Sequence, residues 1–331
     1  VMTADAFVDR VSSRLSDLGI AKNTAVPVVL GLSGGVDSTV LLHVCVKLEI
    51  PVIAVHINYG LRGKASTEDE AFCRRICGEL GVALHVYTPA ESEFRTRGKS
   101  LQESARDYRY QIFEQLAARS NSAFVALGHH ADDNAETMLL NIFRGTGLKG
   151  LGGIPPLRPM DSSPSISIAR PLLGLRRAEI EAFASNEDLA WREDSANNDP
   201  SFSRGFIRTK LAPQIAEGFG DAAFGNIART AAVVREFQES NHDALVEAVF
   251  QGSVAGELSL SVPVLSDLEP VWQDRIIGEA IRRWTRKRSV DRHAVASVRR
   301  LLTSQTGRHT TLNDCTVTRD RAKLVFVQHS T

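Results

Sequence analysis

The sequence predicts a doubly wound α/β domain with a parallel sheet, followed by a second, mostly helical domain. Short apolar runs rich in β-branched residues recur along the first part of the chain, and patterns with helical spacing lie between them. The length of 331 residues and the hydrophobic content of 43% suit two domains with sizeable cores. We place the boundary near residue 215, which gives domains of residues 1–215 and 216–331.

Buried strands account for the apolar runs of the first domain. The runs are VPVVLGLS (26–33), PVIAVHIN (51–58), VALHVYT (82–88), AFVALGHH (123–130) and SISIARP (165–171). Before the last of these, residues 145–165 are rich in Gly, Pro and Ser, which indicates a long loop or a hinge. Because strands and helices alternate, we expect a parallel sheet with helices on both faces and a ligand at the carboxyl ends of the strands.

Three helices lie between these strands. They are expected over residues 38–49, 67–80 and 101–119. The last two open with the spacing of a capping box, Thr67-x-x-Glu70 and Ser100-x-x-Glu103. The N-terminal segment is amphipathic and charged throughout, so we expect an ordinary helix there and not a signal peptide. In the second domain, two alternating runs near the end of the chain predict a terminal β pair.

Charge and cysteine content exclude several classes of protein. Lys and Arg together balance Asp and Glu at 39 each, so any nucleic-acid contact must come from local patches. No apolar run approaches the roughly 20 residues that a membrane helix needs, and we expect no membrane partner. The four cysteines are too few and too scattered for a disulfide framework, which favours the reducing cytoplasm.

An anion-binding corner is predicted where the first strand meets its helix. Its six residues are Ser33, Gly34, Gly35, Val36, Asp37 and Ser38. Such a corner directs backbone N–H groups and the positive end of the helix dipole at one point, and its glycines allow a phosphate to approach closely. The carboxylate of Asp37 would repel a phosphate unless a divalent cation lies between them. The alternative is a plain Gly-Gly turn with an N-cap serine.

Three carboxylates are expected on one helix face after the fourth strand. Asp132 and Asp133 precede Glu136 by four and three residues, so all three converge on the first turn of the helix. Like charges this close persist most easily around a cation, either Mg²⁺ or the ammonium group of an amino-acid substrate. The alternative is that the acids only complement the N-terminus of their helix. His129 and His130 are either functional or satisfied polar residues at the end of the strand.

The corner resembles the PP-loop of the ATP pyrophosphatases, which cleave ATP to AMP and pyrophosphate. Four further segments are similar to successive signatures of the tRNA(Ile)-lysidine synthetases. They are HINYGLRG (56–63), QESARDYRY (102–110), GHHADDNAETMLLNIFRGTGLKGL (128–151) and WREDSANNDPSFSRGFIR (191–208). Three positions depart from the family pattern: Tyr59 stands where a second histidine is usual, Asn134 replaces Gln, and Gly205 replaces Asn.

The resemblance implies a Rossmann-like fold of the PP-loop ATPase type and a cytoplasmic ligase that uses ATP and Mg²⁺. It implies that ATP binds at the corner together with His56. The implied catalytic set is Asp37, Arg106, Asp132 and Glu136, the lysine-binding set is Asp132, Asp133 and Glu136, and the metal ligands are Asp37 and Asp132. Arg106 is preferred to Arg109 because it lies in the better matched part of its motif. A solvated helix face is the alternative for both.

The same resemblance implies the substrates, tRNA(Ile) with a CAU anticodon and L-lysine. The wobble cytidine would be adenylated with release of pyrophosphate, and lysine would then displace AMP to form lysidine. Basic side chains of both domains would hold the tRNA, namely Arg204, Arg208, Arg282, Arg283 and Arg286. Any one of these could instead lie on a solvated helix face.

Two rival functions remain open. A tRNA thiolase would use the same adenylation with a sulfur donor and would need a catalytic cysteine. Cys73 and Cys77 have helical spacing, but no second cysteine pair accompanies them, and buried apolar packing explains them better. A non-catalytic ATP-binding sensor would use the carboxylates only as helix caps and would release no pyrophosphate.

Overall fold

The protein divides into two compact units, Val1–Arg235 and Glu236–Thr331. The computed structural model describes residues 2–22, 25–193, 203–254, 257–285, 290–312 and 315–328. Arg286, one of the residues expected to bind tRNA, and most of the segment WREDSANND lie outside the described residues. Within the described part of the chain, no helix combines the length and the apolar composition needed to cross a bilayer.

A six-stranded sheet forms the centre of the first unit. Its strands are β1 (Val28–Gly31), β2 (Val52–Ile57), β3 (Ala83–Tyr87), β4 (Phe124–Ala126), β5 (Leu157–Pro159) and β6 (Ser167–Ala169), in the order β3-β2-β1-β4-β6-β5. All neighbours are parallel except β5 and β6. The chain moves outward from β1 to β3 and returns to the other side of β1 as β4, so a crevice is expected at the carboxyl ends of β1 and β4.

Helices cover both faces of this sheet, as predicted. They are α1 (Ala4–Asp17), α2 (Val36–Lys47), α3 (Lys64–Leu80), α4 (Glu91–Phe94), α5 (Leu101–Arg119), α6 (Ala131–Phe143), α7 (Leu148–Leu151), α8 (Arg177–Asn186), α9 (Ser203–Phe206) and α10 (Ala212–Phe219). Val28 and Leu30 of β1 join a core with α1, α2, α3 and α8, whereas Val29 packs with Ile112 and Phe113 of α5. Alternate side chains of a strand point to opposite faces, so β1 is buried from both sides.

Two local predictions of the first unit were wrong. Helix α3 begins at Lys64 and not at Thr67, because Gly63 takes a φ of +53° at the N-cap and allows the helix to start earlier. The predicted loop over residues 145–165 contains α7 and the edge strand β5. The other capping box is confirmed, with the Ser100 N–H donating to Glu103 Oε2 at 2.9 Å.

The second unit contains helices and a five-stranded antiparallel sheet. Its helices are α11 (Ala222–Val249), which begins in the first unit, α12 (Val262–Ser266), α13 (Pro270–Thr285) and α14 (Arg292–Arg299). Its strands are β7 (Phe250–Val254), β8 (Glu257–Ser261), β9 (His309–Thr311), β10 (Cys315–Asp320) and β11 (Lys323–Gln328), in the order β7-β8-β11-β10-β9. The expected terminal pair is β10 with β11. The sequence analysis missed the other three strands because they are short and β7 contains glycine.

Candidate active site

The predicted anion-binding corner lies between β1 and α2. Gly34 has a φ of +88°, where a side chain would be strained, and Gly35 is the N-cap of α2. The Ser33 N–H donates to Ser38 Oγ at 3.1 Å, and the Ser38 hydroxyl donates to the Gly35 carbonyl at 3.1 Å. These bonds close the turn at the start of α2, whose first N–H groups have no acceptor inside the helix. The corner therefore has the geometry of an anion site.

The end of β4 packs directly on this corner. A Cβ at Gly128 would lie 3.0 Å from the backbone carbon of Asp37 and 3.0 Å from the nitrogen of Ser38. Only glycine allows this approach without a shift of the backbone. The contact brings His130, two residues further on, within reach of Asp37.

His56, which we expected to bind ATP, is buried at the end of β2. Its Nδ1 lies 2.9 Å from the Leu32 carbonyl oxygen and 3.5 Å from Cys73 Sγ. Its Nε2 is buried and has no partner among the described residues. His56 therefore supports the strand that leads into the corner.

His130 lies among three carboxylates, those of Asp37, Asp132 and Asp133, which we call the acidic group. Its Nε2 is 3.4 Å from Asp133 Oδ2 and 3.8 Å from Asp37 Oδ1, and its Nδ1 is 3.6 Å from Asp132 Oδ2. Burial opposes a charge on the imidazole, but these carboxylates prevail and raise the pKa of His130 above its ordinary value. His130 therefore lies where the corner meets the first turn of α6.

Two arginines at the start of α8 pair with two of the predicted carboxylates. Arg177 donates to Asp37 Oδ2 at 3.0 Å. Arg176 contacts Asp132 Oδ1 through Nε at 3.0 Å and Nη2 at 2.9 Å, and the Arg177 N–H donates to Asp132 Oδ2 at 2.7 Å. Burial raises the pKa of Asp37. Burial also acts on Asp132, but hydrogen bonds from His130, Arg176 and the Arg177 backbone hold its pKa well below the usual range.

Arg208 pairs with Glu136 in the same site. Its Nε and Nη2 donate to the two carboxylate oxygens of Glu136 at 2.8 and 3.0 Å, and Nη2 lies 3.5 Å from Asp133 Oδ1. A π-helical turn, Ile207–Leu211, carries Arg208, and the buried Ile207 anchors this turn in a core with α6. The side chain of Glu136 is only 2% exposed, and burial raises its pKa despite the arginine.

The residues present fit a magnesium–nucleotide complex at Asp37. Asp37 Oδ1 is buried and has no hydrogen-bond partner among the described residues, whereas both oxygens of Asp132 accept hydrogen bonds. The described residues contain no group of three or more His, Cys, Asp or Glu side chains that could hold a metal ion. Mg²⁺ commonly uses one or two protein carboxylates and completes its shell with phosphates and water, so Asp37 offers the better protein ligand.

Arg106, predicted to face the nucleotide, lies on α5 against Tyr110. Its Nη2 is 3.2 Å from the Tyr110 hydroxyl, and its guanidinium carbon is 4.9 Å from the centre of the ring. Its charge also reaches His129, whose pKa lies well below its ordinary value through burial and through the nearby arginines. His129 is therefore a neutral imidazole, unlike His130.

The arginines expected to bind tRNA fall into two sets. Arg204 Nη2 donates to Thr137 Oγ1 at 2.8 Å and so lies beside α6 with Arg208. Arg282 and Arg283 lie on α13 in the second unit, where both pair with Glu279. Arg204 and Arg208 therefore lie with the acidic group in the first unit.

The structure adds residues that the sequence analysis did not select. The Arg192 N–H donates to the Gly34 carbonyl at 2.9 Å, and its guanidinium contacts Asp69 at 3.1 Å and Glu68 at 2.8 Å. Arg192 stands inside a quoted motif, so that motif was the available signal. Arg176 and Arg177 carry no local signal, because their partners lie on distant elements.

The departures from the family pattern have structural partners. The Tyr59 hydroxyl donates to the Ala105 carbonyl at 2.5 Å, and its ring packs edge-on against Phe94. Asn134 is buried and bonds the Ile154 N–H at 2.7 Å and the Ala228 carbonyl at 3.2 Å. Both side chains thus connect elements of the first unit.

Comparisons with known proteins give a family and several named relatives. Residues 8–215 match the family model described as PP-loop domain. A protein of Chlorobaculum tepidum named tRNA(Ile)-lysidine synthase is 35% identical over 289 residues, which cover 85% of this chain and 84% of the relative. Proteins of the same name from Porphyromonas gingivalis and Pseudomonas aeruginosa are 39% and 38% identical over 213 and 215 residues, and the match spans 46% of each. The chain thus matches less than half the length of these two relatives.

A solved structure supports the fold of the first unit. The U34-tRNA thiolase NcsA from Methanococcus maripaludis, with its [4Fe-4S] cluster, superposes with a TM-score of 0.56 at 19% identity. The superposition covers 70% of this chain and 80% of the thiolase. At this identity the likeness concerns the fold alone.

Proposed function

The chain belongs to the PP-loop family and, within it, to the tRNA(Ile)-lysidine synthases, and from this premise we propose that it joins L-lysine to the wobble cytidine of tRNA(Ile). The tRNA carries a CAU anticodon, the product is lysidine, and the reaction consumes ATP. One observation carries the proposal: Asp37, with an unpartnered buried oxygen, belongs both to the anion-binding corner and to the carboxylates around His130. The corner suits the phosphates of a nucleotide, and the adjacent carboxylates suit the amine of lysine.

The first step proposed is adenylation of the cytidine. O2 of the base forms a bond to the α-phosphorus of ATP, the bond from that phosphorus to its bridging oxygen breaks, and pyrophosphate leaves. The N–H groups at the start of α2 hold the phosphates, and Asp37 Oδ1 would hold Mg²⁺. Bound there, Mg²⁺ would neutralise phosphate charge. Arg177 keeps its contact with Asp37 Oδ2 or releases it to the phosphates. Arg106 is proposed to neutralise charge on the departing pyrophosphate.

The second step is attack by lysine. Its ε-amine bonds to C2 of the cytosine, the C2–O2 bond breaks, AMP leaves, and the amine loses a proton. At pH 7 only about one lysine in 2,500 has a neutral ε-amine, a handicap of roughly 4.6 kcal/mol. We propose Glu136 as the proton acceptor, because burial raises its pKa whereas the hydrogen bonds to Asp132 keep that carboxylate a weak base. Asp133 would bind the ammonium group, in place of its contact with Arg208.

The cytidine must leave the stacked anticodon loop to reach this site. Enzymes that act on a base commonly take it out of the stack, and arginines near the site hold the flanking phosphates. Arg204 suits this role because its guanidinium donates to the neutral hydroxyl of Thr137 and forms no ion pair with a described residue. Arg282 and Arg283 would contribute sequence-independent contacts from the second unit.

A direct assay tests the proposal. The protein is incubated with ATP, radiolabelled lysine and unmodified tRNA(Ile) that bears CAU, and label is sought at the wobble position. We expect label and pyrophosphate from the wild type and a loss of at least about 100-fold in Asp37→Asn. Asp107→Asn removes an exposed carboxylate that pairs with Lys99 and is the matched control. Pyrophosphate without labelled tRNA, or unchanged labelling in Asp37→Asn, contradicts the proposal.

A thiolase function has less support from the cysteines. All four are buried, and burial raises the pKa of Cys73 to about 12 and that of Cys77 to about 11. A thiol with so high a pKa forms little thiolate at neutral pH. Replacement of all four cysteines by alanine would abolish a thiolase but should leave lysine transfer in place.

A further inference from the structure

A second charged cluster, which the lysine site does not include, surrounds Tyr110 on α5. We call it the Tyr110 cluster; its members are Tyr110, Arg106, Arg158 and Arg170. The guanidinium carbons of Arg106 and Arg158 lie 4.9 and 5.9 Å from the centre of the Tyr110 ring. Burial lowers the pKa of Arg170, and the nearby Tyr110 opposes this shift. Three guanidinium groups therefore gather around one phenol.

Arg170 is the buried member of the Tyr110 cluster. It follows β6 directly and is only 4% exposed. Its Nη1 donates to the Pro155 carbonyl at 2.7 Å, but its Nε is buried without a partner among the described residues. A buried guanidinium is costly to leave without an anion. Its unpartnered Nε is thus an open position for one.

Carboxylates of the protein compensate little of this charge. Arg158 pairs with Asp161 at 3.2 Å. No ion pair is found for Arg106 or Arg170 within the described ranges. The cluster therefore keeps an excess of positive charge next to a buried donor.

Arg170 and the acidic group lie at the same edge of the sheet, because β4 and β6 are parallel neighbours with Ala126 opposite Ala169, and Arg170 follows β6 as His129 and His130 follow β4. The charges of Arg170 and Arg106 act on the His129 imidazole, and so does the opposite charge of Asp133. A free amino acid carries both an ammonium group and a carboxylate, and a site for it needs both kinds of partner. Oppositely charged groups at the same edge of the sheet meet that need.

We infer that Arg158 and Arg170 bind the α-carboxylate of the amino-acid substrate. The inference rests on the proposed function, because it takes lysine as the molecule whose amine meets Asp133 and Glu136. A guanidinium matches the planar carboxylate through parallel N–H donors. Arg106 is proposed to act on the pyrophosphate, which leaves Arg158 and Arg170 of the cluster for a second anion. Lysine without its carboxylate should therefore be a poor substrate.

Substrate analogues test the assignment. L-lysinamide keeps both amines and replaces the carboxylate by a neutral amide. In the lysine-transfer assay, we expect Arg158→Gln to raise the KM for lysine about tenfold and to change the KM for lysinamide by less than about twofold. Arg170→Lys should behave in the same way, since lysine keeps the positive charge but lacks the parallel N–H donors of a guanidinium. Arg75→Gln, which removes an exposed arginine paired with Glu79, is the matched control.

Equilibrium dialysis of labelled lysine provides a readout without chemistry. The wild type should bind lysine about tenfold more tightly than lysinamide, and Arg158→Gln should remove this preference. Thermal melts identify a variant that has simply lost its fold. Equal changes for lysine and lysinamide, or a change confined to the KM for ATP or tRNA, would overturn the inference and assign the cluster to phosphate. If the wild type transfers no lysine, the proposed function fails, and dialysis still decides the carboxylate site.

Discussion

The ion pairs between arginines and the carboxylates of α6 in the first unit differ in kind from those on α13 in the second unit. In the first unit, Arg176 contacts Asp132 across 44 residues of sequence, and Arg208 contacts Glu136 across 72. In the second unit, Arg282 and Arg283 both pair with Glu279, three and four residues earlier on the same helix. The first kind depends on the whole fold, whereas the second needs only a helix.

This difference separates structural arginines from those available to a ligand. The carboxylate side chain of Glu136 is only 2% exposed, so Arg208 compensates a charge that water cannot solvate well. The Arg283 side chain is 50% exposed, and water can replace its partner at little cost. The first kind of pair should therefore matter for stability, and the second should matter for binding.

The largest effect is expected when one buried carboxylate loses its charge. Asp132→Asn keeps the shape of the side chain but leaves Arg176 without its counter-ion. We expect a loss of about 3 kcal/mol in the free energy of unfolding, measured by urea denaturation at pH 7. Glu279→Gln is the matched change in the second unit: its side chain is also 17% exposed, but its arginine partners are on its own helix, so the change should cost less than about 1 kcal/mol. Equal losses of stability in the two variants would contradict the distinction between ion pairs that join distant elements and ion pairs within one helix.

A smaller, pH-dependent loss is expected at Arg208. Burial raises the pKa of Glu136 above its ordinary value of 4.5, and Arg208→Met should raise it further. A carboxyl whose pKa is higher in the folded state binds more protons there, so its contribution to stability falls as pH rises through that window. The variant should lose about 2 kcal/mol at pH 7.5 and recover part of it at pH 5. With Glu136→Gln added, the pH dependence of the loss should disappear in urea titrations.

The contrast also explains what could be predicted from the sequence. The corner at residues 33–38 and the acid triplet of α6 follow from local spacing, and the structure brings them together at the carboxyl ends of β1 and β4. Arg176 and Arg177 could not be selected, because nothing near them in the chain shows that Asp132 and Asp37 will be their partners. Arg170 was quoted only as the end of a strand, since its burial and its open Nε are properties of the packed sheet.

The pH dependence of stability tests whether the surrounding carboxylates raise the pKa of His130. The carboxylates of Asp37, Asp132 and Asp133 raise its pKa, so protonated His130 contributes stability that is fully present below pH 6.5 and is lost as pH rises through the raised pKa. We expect His130→Gln to lose about 1.5 kcal/mol at pH 5.5 and less at pH 8.5. His43, whose pKa burial lowers, is the opposite control: His43→Gln should gain relative stability at low pH. A loss at His130 that grows with pH would contradict this assignment.

The smallest effect on stability is expected for the helix α13 pair, and there the change should appear in RNA binding. Replacing Arg282 and Arg283 by Gln should alter the free energy of unfolding by less than about 1 kcal/mol. If both contact tRNA phosphates, affinity for unmodified tRNA(Ile) should fall, and the slope of log affinity against log salt should decrease by about 1 for each arginine.

A double variant of the first unit provides the control for that measurement. Arg74 and Arg75 also pair within one helix, at i,i+4 spacing with Glu70 and Glu79, so Arg74→Gln with Arg75→Gln removes the same charge from the same kind of pair. Filter binding with ATP but without lysine measures affinity apart from transfer. A salt slope that changes equally in both double variants would mean that general charge, and not a surface on α13, attracts the RNA. A salt slope that changes only in the double variant of Arg282 and Arg283 would show that these arginines of α13 bind RNA, as the comparison of the two kinds of ion pair requires.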